Sequence, residues 1–128
     1  MSDPNGALVT AIIGTLNTAL DPVKVYTRAP ASAEMPYVTL DTMLATPDDQ
    51  LASLKDTTFV YLTAWSKYRG TKQANELVAT IYDTLHRARL TMNTGTMIRA
   101  YVTARGVEPD IDKEIFKGRV TIRCHIKH

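Results

Sequence analysis

Apolar residues recur every four positions near the start of the chain: Leu8, Ile12, Leu16 and Leu20, with Ala11 and Ile13 beside them. That spacing makes one stripe along a helix and predicts a helix from about Pro4 to Leu20. Asp3 is placed to cap it and Pro4 suits its first position. Asp21-Pro22 ends it, because proline disfavours helical geometry in the residue before it. The period then changes from four to two. Val23 to Thr27 reads as a short strand, Arg28 to Met35 as a loop, and Tyr37 to Ala45 as a second strand opened by Pro36. Thr57 to Lys67 is the clearest strand, with Phe59, Tyr61, Thr63 and Trp65 on one face and Val60, Leu62 and Ala64 on the other. Both of its faces are largely apolar. It is therefore expected inside a sheet, with helices over one face and a second layer or a partner over the other.

Tyr68-Arg69-Gly70 reads as a turn and Thr71 as the cap of a second helix, Lys72 to Arg87. Its buried stripe is Ala74, Leu77, Val78, Ile81, Tyr82 and Leu85. His86 and Arg87 fall in its last turn, with Arg89 just beyond, where cations meet the negative end of the helix dipole. Leu90 to Met92 reads as a short strand and Asn93-Thr94-Gly95 as a turn. Thr96 to Arg105 is a strand, Gly106 to Asp112 a loop, and Ile115 to Lys127 the last strand. That strand alternates throughout: Phe116, Val120, Ile122, Cys124 and Ile126 on one side, Lys117, Arg119, Thr121, Arg123, His125 and Lys127 on the other. This order predicts an α+β fold, a mixed, mostly antiparallel sheet of about five or six strands with two helices packed on one face. A chain of 128 residues makes this a single domain, residues 1–128.

Composition narrows the class. With 45% hydrophobic and 22% charged residues, the chain has the means for one ordinary core. Its longest apolar-leaning stretch, Ala7 to Leu20, is too short and too polar to span a bilayer, so no membrane partner is expected. The segment MSDPNG has no basic region of the kind that opens a secretory signal. The single cysteine, Cys124, rules out an internal disulfide framework and fits a reducing compartment. The net charge of +2 hides an asymmetry: residues 1–66 hold three Lys and Arg against seven Asp and Glu, residues 67–128 twelve against six. Such a split fits nucleic-acid contact, or subunits whose acidic and basic patches meet, or simply an uneven solvated surface.

No reaction centre is legible. Ser66 has no nucleophile elbow around it. Cys124 lies on the apolar side of its strand and reads as a small buried hydrophobe, with His125 on the opposite side. The histidines lack ligand spacing. Glu108, Asp110, Asp112 and Glu114 alternate like part of an ion-binding loop, but the glycine pattern of a calcium hand is absent and Pro109 interrupts them. No phosphate loop or dinucleotide fingerprint is present, since Gly70-Thr71-Lys72 lacks the upstream glycine. Catalytic, cofactor-binding and metal residues are thus all expected to be absent, and the chain is not expected to be an enzyme.

Two features remain as candidate contact sites. The segment Thr46 to Asp56 is long for a hairpin connection and carries Asp48, Asp49 and Asp56 with Leu51 and Leu54. It reads as an exposed loop or as an arm docking on a neighbouring subunit. Lys117, Arg119, Arg123 and Lys127 form a basic row along the last strand, spanning about 33 Å. The row is suited to phosphates without sequence readout, to a protein interface, or to discouraging edge pairing, and it has no aromatic residue between its cations for stacking on single strands.

The order of these elements resembles the tail-completion, or tail-terminator, proteins of long-tailed phages and related gene-transfer particles. The similar features run through nearly the whole chain. They are the opening apolar helix, Val25-Tyr26, a proline-bearing loop, Pro36-Tyr37-Val38-Thr39-Leu40, and Thr63-Ala64-Trp65-Ser66-Lys67 with Arg69-Gly70. The helix of Ala74, Leu77, Ile81 and Leu85 follows, then Leu90, a turn with Gly95, and Arg119-Val120-Thr121-Ile122-Arg123. The resemblance implies a structural virion protein, made in the host cytoplasm and resident at the head–tail junction. It implies a homo-hexameric ring that caps the tail tube, ends its polymerisation and joins the tail to the head connector. The implied partners are the chain itself, the major tail tube protein, the head-completion or connector protein, and DNA passing through the lumen without sequence specificity. The residues alone keep an alternative open, a small non-specific nucleic-acid-binding module using the basic face of the last strand.

Overall fold

The computed structural model of the chain describes residues 4–21, 23–28, 30–47, 55–67, 71–90, 92, 96–111 and 114–127. Along it run α1 (Pro4–Leu20), β1 (Lys24–Tyr26), β2 (Tyr37–Pro47), β3 (Lys55–Ser66), α2 (Lys72–Leu85), β4 (Thr96–Pro109) and β5 (Phe116–Lys127). The strands form one sheet in the order β1-β2-β3-β5-β4. β1 runs parallel to β2, and every other neighbouring pair is antiparallel. The α+β class and the mixed, mostly antiparallel sheet with two helices follow the expectation.

The period-four stripe of α1 and the period-two stripes of the strands meet in one core. Leu8, Ile12, Leu16 and Leu20 of α1 pack with Leu77, Val78, Ile81 and Leu85 of α2. Beneath them lie Val38, Leu40, Val60, Leu62, Ala64, Val120, Ile122, Cys124 and Ile126 from one side of the sheet. Both helices therefore cover the same face. α2 packs directly over Gly118, which pairs with Ala64. A Cβ on Gly118 would meet Val78 Cγ2 at 2.4 Å and the Ala74 carbonyl oxygen at 3.3 Å.

Two polar residues of β3 are fully buried in that face, Ser66, which bonds Gln73 of α2, and Thr58. Thr58 is fully buried, and its Oγ1 has no hydrogen-bond partner among the described residues. A buried hydroxyl without a partner carries an uncompensated desolvation cost. Thr58→Val is expected to raise stability by about 1 kcal/mol, read as a higher urea midpoint at unchanged slope. A lower midpoint would show that the hydroxyl is bonded in solution.

Several boundaries depart from the sequence pattern, each for a local reason. α2 stops at Leu85, and His86 turns out of the helix at φ −68, ψ 123. Its Nδ1 accepts the Val102 N–H at 3.1 Å, so the ring serves β4 rather than the helix dipole. Thr71 makes no side-chain cap bond. No strand forms at Leu90 or Met92. The chain joins the β4 edge earlier, through Arg87 N–H to Ala100 O at 2.6 Å and Ala100 N–H to Ala88 O at 3.0 Å. β4 continues past Gly106 to Pro109, because Gly106, Val107, Glu108 and Pro109 stay in register with Arg119, Gly118, Lys117 and Phe116. β5 consequently lies between β3 and β4 and is no edge strand.

Candidate functional site

The other face of the sheet is covered by neither helix. Antiparallel residues directly opposite one another share a face, so the ladder register orders this surface into cross-strand rows. One row is Tyr37, Trp65, Lys117 and Glu108, and the next is Thr39, Thr63, Arg119 and Gly106. Further along come Thr42, Tyr61, Thr121 and Ala104, then Leu44, Phe59, Arg123 and Tyr101, then Thr46, Thr57, His125 and Arg99. The aromatics missing within the basic row are thus supplied by its neighbours: Phe59, Tyr61 and Trp65 from β3 and Tyr101 from β4. Along β5 itself no aromatic residue lies between the cations; the aromatic neighbours come from the strands on either side. Sequence separation hides the register that brings these strands together.

At one end of the face a bulge in β2 reorganises the chemistry. The register shifts between Leu40 and Thr42, which leaves Asp41 as the extra residue. Its carboxylate accepts from Thr39 Oγ1 at 2.7 Å and from Thr63 Oγ1. Trp65 Nε1–H donates to Thr39 Oγ1 at 3.0 Å, which orients the indole. Tyr37 packs against both Trp65 and Tyr26, with ring centroids 6.5 Å and 6.0 Å apart. A concavity of about 480 Å³ opens here, walled in part by Asp41, Tyr61, Trp65, Lys117 and Arg119. Asp41 gave no signal in the sequence, because a lone Asp in a strand acquires its partners only through the bulge and the β3 register.

The four cations of the β5 row have different surroundings. Lys117 pairs with Asp110 at 3.1 Å and Arg119 with Glu108 at 2.7 Å. Glu108 and Asp110, expected from the sequence in the loop Gly106 to Asp112, thus neutralise half of the row. Arg123 lies over the Tyr101 ring at 5.7 Å from its centroid, with its Nε buried and without a hydrogen-bond partner. Lys127 is exposed at the far end of the strand. Neither Arg99, Arg123 nor Lys127 has an ion pair with another described residue. Leu44 is 56% exposed and Tyr61 38%, so apolar surface adjoins these cations.

Of the proposed docking loop, Asp48, Asp49, Leu51 and Leu54 lie outside the described residues. Asp56 is described, and it belongs to β3, in register with Pro47 on one side and Ile126 on the other. Thr46 likewise belongs to β2. The connection is therefore shorter than the span from Thr46 to Asp56, since the β2–β3 ladder outlasts the apolar alternation. Cys124 is buried, as its place in the alternation implies, and burial pushes its thiol up to about 12. Among the described residues no group of His, Cys, Asp and Glu could hold a metal ion, and no helix is long and apolar enough to cross a membrane.

These features define a small α+β protein whose distinctive part is an open aromatic and basic sheet face. The chain belongs to the tail completion protein gp17 family, whose model matches residues 6–127. Its fold is similar to that of a chain in the virion of a native gene transfer agent particle, with a TM-score of 0.85 over 96% of each chain at 15% identity. No curated protein matches it by sequence. As a member of the tail completion family it is a structural protein of the virion tail.

Proposed function

We propose that the chain assembles into a ring that caps the tail tube, ends its polymerisation and joins the tail to the head connector. The match to a tail completion family over residues 6–127 carries this reading. A closed ring of identical subunits needs two different patches that meet head to tail. The open sheet face is one such patch, and the acidic segment from Asp48 to Asp56 is a candidate for the other. The expected assembly is a homo-hexamer whose two rims meet the major tail tube protein and the head-completion or connector protein, with DNA passing through its lumen. No step of this work requires catalysis.

Light scattering and electron micrographs at micromolar concentration test the reading. The expected result is a hexamer mass, or rings formed on purified tail tubes. A chain that stays at 14.2 kDa both alone and with tubes would overturn it.

The aromatic residues beside the cations favour one second reading, a non-specific nucleic-acid-binding module. The ion pairs of Lys117 and Arg119 and the carboxylate of Asp41 weigh against it, because they offset the positive field a phosphate backbone needs. That reading requires DNA affinity with a steep salt dependence, weakened by Arg119→Ala and Arg123→Ala.

A further inference from the structure

We propose that the open sheet face is a self-docking surface, and that its occupant is the segment Asp48–Leu54 of a second copy of this chain. The inference rests on the self-association proposed above and names the two surfaces that would meet.

The face argues for a protein partner. One of its rows sets Leu44 and Phe59 beside Arg123 and Tyr101. Aromatic rings and an arginine, here 5.7 Å from the Tyr101 centroid, are enriched at protein contact surfaces, and Leu44 adds exposed apolar area. Arg123 retains a buried Nε without a partner and makes no ion pair among the described residues. Arg99, one row further on, is likewise without an ion pair among them. Duplex DNA would use the cations and leave Leu44, Phe59 and Tyr61 without a role.

The segment Asp48-Asp49-Gln50-Leu51-Ala52-Ser53-Leu54 has the complementary chemistry, two carboxylates followed by two leucines. Carboxylates answer Arg123 and Arg99, and leucines answer Leu44, Phe59 and Tyr61. Pro47 and Asp56 are still paired at the end of the ladder, and Lys55 lies opposite Lys127, the last residue of β5. The described residues on either side of the segment thus stand at the end of the sheet. One patch from each of two different regions also makes the contact heterologous, as ring closure demands.

A labelled peptide of Thr46–Asp56 tests the docking directly, by fluorescence anisotropy with the full chain. Saturable binding is expected, weakened at least tenfold by Arg123→Glu or Phe59→Ser in the protein and by Leu51→Ser in the peptide. Glu76→Lys, on the exposed side of α2, should leave it unchanged. No binding at millimolar peptide, or equal binding by Arg123→Glu, overturns the proposal, as does a DNA duplex that binds this face when the peptide does not. In the full chain, Arg123→Glu and the pair Asp48→Arg, Asp49→Arg should each raise the assembly concentration at least tenfold, and their combination should lower it again. Wild-type-like assembly by both separate variants would overturn the docking and leave the ring reading standing. Peptide binding by a chain that never assembles would keep the docking and remove the ring.

Discussion

Gly118→Val is expected to destabilise the protein by about 3 kcal/mol or more, and Gly118→Ala by about 1–3 kcal/mol. β5 passes beneath α2 at this residue, and the added Cβ would sit 2.4 Å from Val78 Cγ2. Real carbon atoms do not approach so closely, so helix or strand must move. Val78 cannot easily turn away, because a β-branched side chain in a helix has essentially one rotamer. The Ala74 carbonyl oxygen at 3.3 Å closes the remaining space. Valine adds two further methyl groups to the same contact. Urea unfolding followed by circular dichroism gives the measurement. The double variant Gly118→Ala, Val78→Ala should recover part of the loss, since the two sites share one contact. A Gly118→Ala protein as stable as its parent would mean that α2 does not pack here.

The second large effect concerns Cys124. Burial pushes its thiol from an ordinary 9.0 to about 12. At pH 8 the native thiolate fraction should therefore be about a thousandfold below that of the unfolded chain. A disulfide reagent should label the native protein slower by about that factor, and the urea-unfolded protein at the normal rate. Equal rates would place the sulfur at the surface. The same shift makes stability depend on pH. The folded value lies above the unfolded one, so the contribution is complete below pH 9 and is lost as pH rises from 9 toward 12. In that window the parent should lose about 1.4 kcal/mol per pH unit more steeply than Cys124→Ala. Identical slopes for the two proteins would refute the assignment.

Both predictions concern the covered face, and that face was largely legible in the residue pattern. Leu8, Ile12, Leu16 and Leu20 repeat with the helical period, and Val120, Ile122, Cys124 and Ile126 with the strand period. Each set has only one geometry that buries it together. Even the burial of Cys124 follows from its parity in β5. Thr58 shares that parity with Val60 and Leu62, yet nothing in the pattern marks its hydroxyl as unpartnered, because partners are a property of the packed neighbours.

The contact face was legible only in pieces. The alternation of β5 displays its cations, and that of β3 displays Phe59, Tyr61 and Trp65. Which strand lies beside which depends on the order β1-β2-β3-β5-β4, in which β5 enters between β3 and β4. No local period encodes that insertion. Asp41 shows the same limit, since it reaches Thr63 only because a bulge in β2 and the register of β3 coincide. The pairing of Glu108 with Arg119 depends on β4 outlasting the glycine at which a loop was expected.

The sequence by itself thus determined the class of fold and most members of the core, Tyr82 excepted, which is partly exposed near the end of α2's stripe. Periodicity, proline placement and residue type are local quantities, and local geometry responds to them directly. The ordered succession of those elements also carried the family resemblance. Only the tertiary structure decided which face stays open, which cations on it are neutralised, and how aromatic rings from β3 and β4 surround Arg123. Those outcomes depend on strand order and register, which the whole set of contacts selects at once.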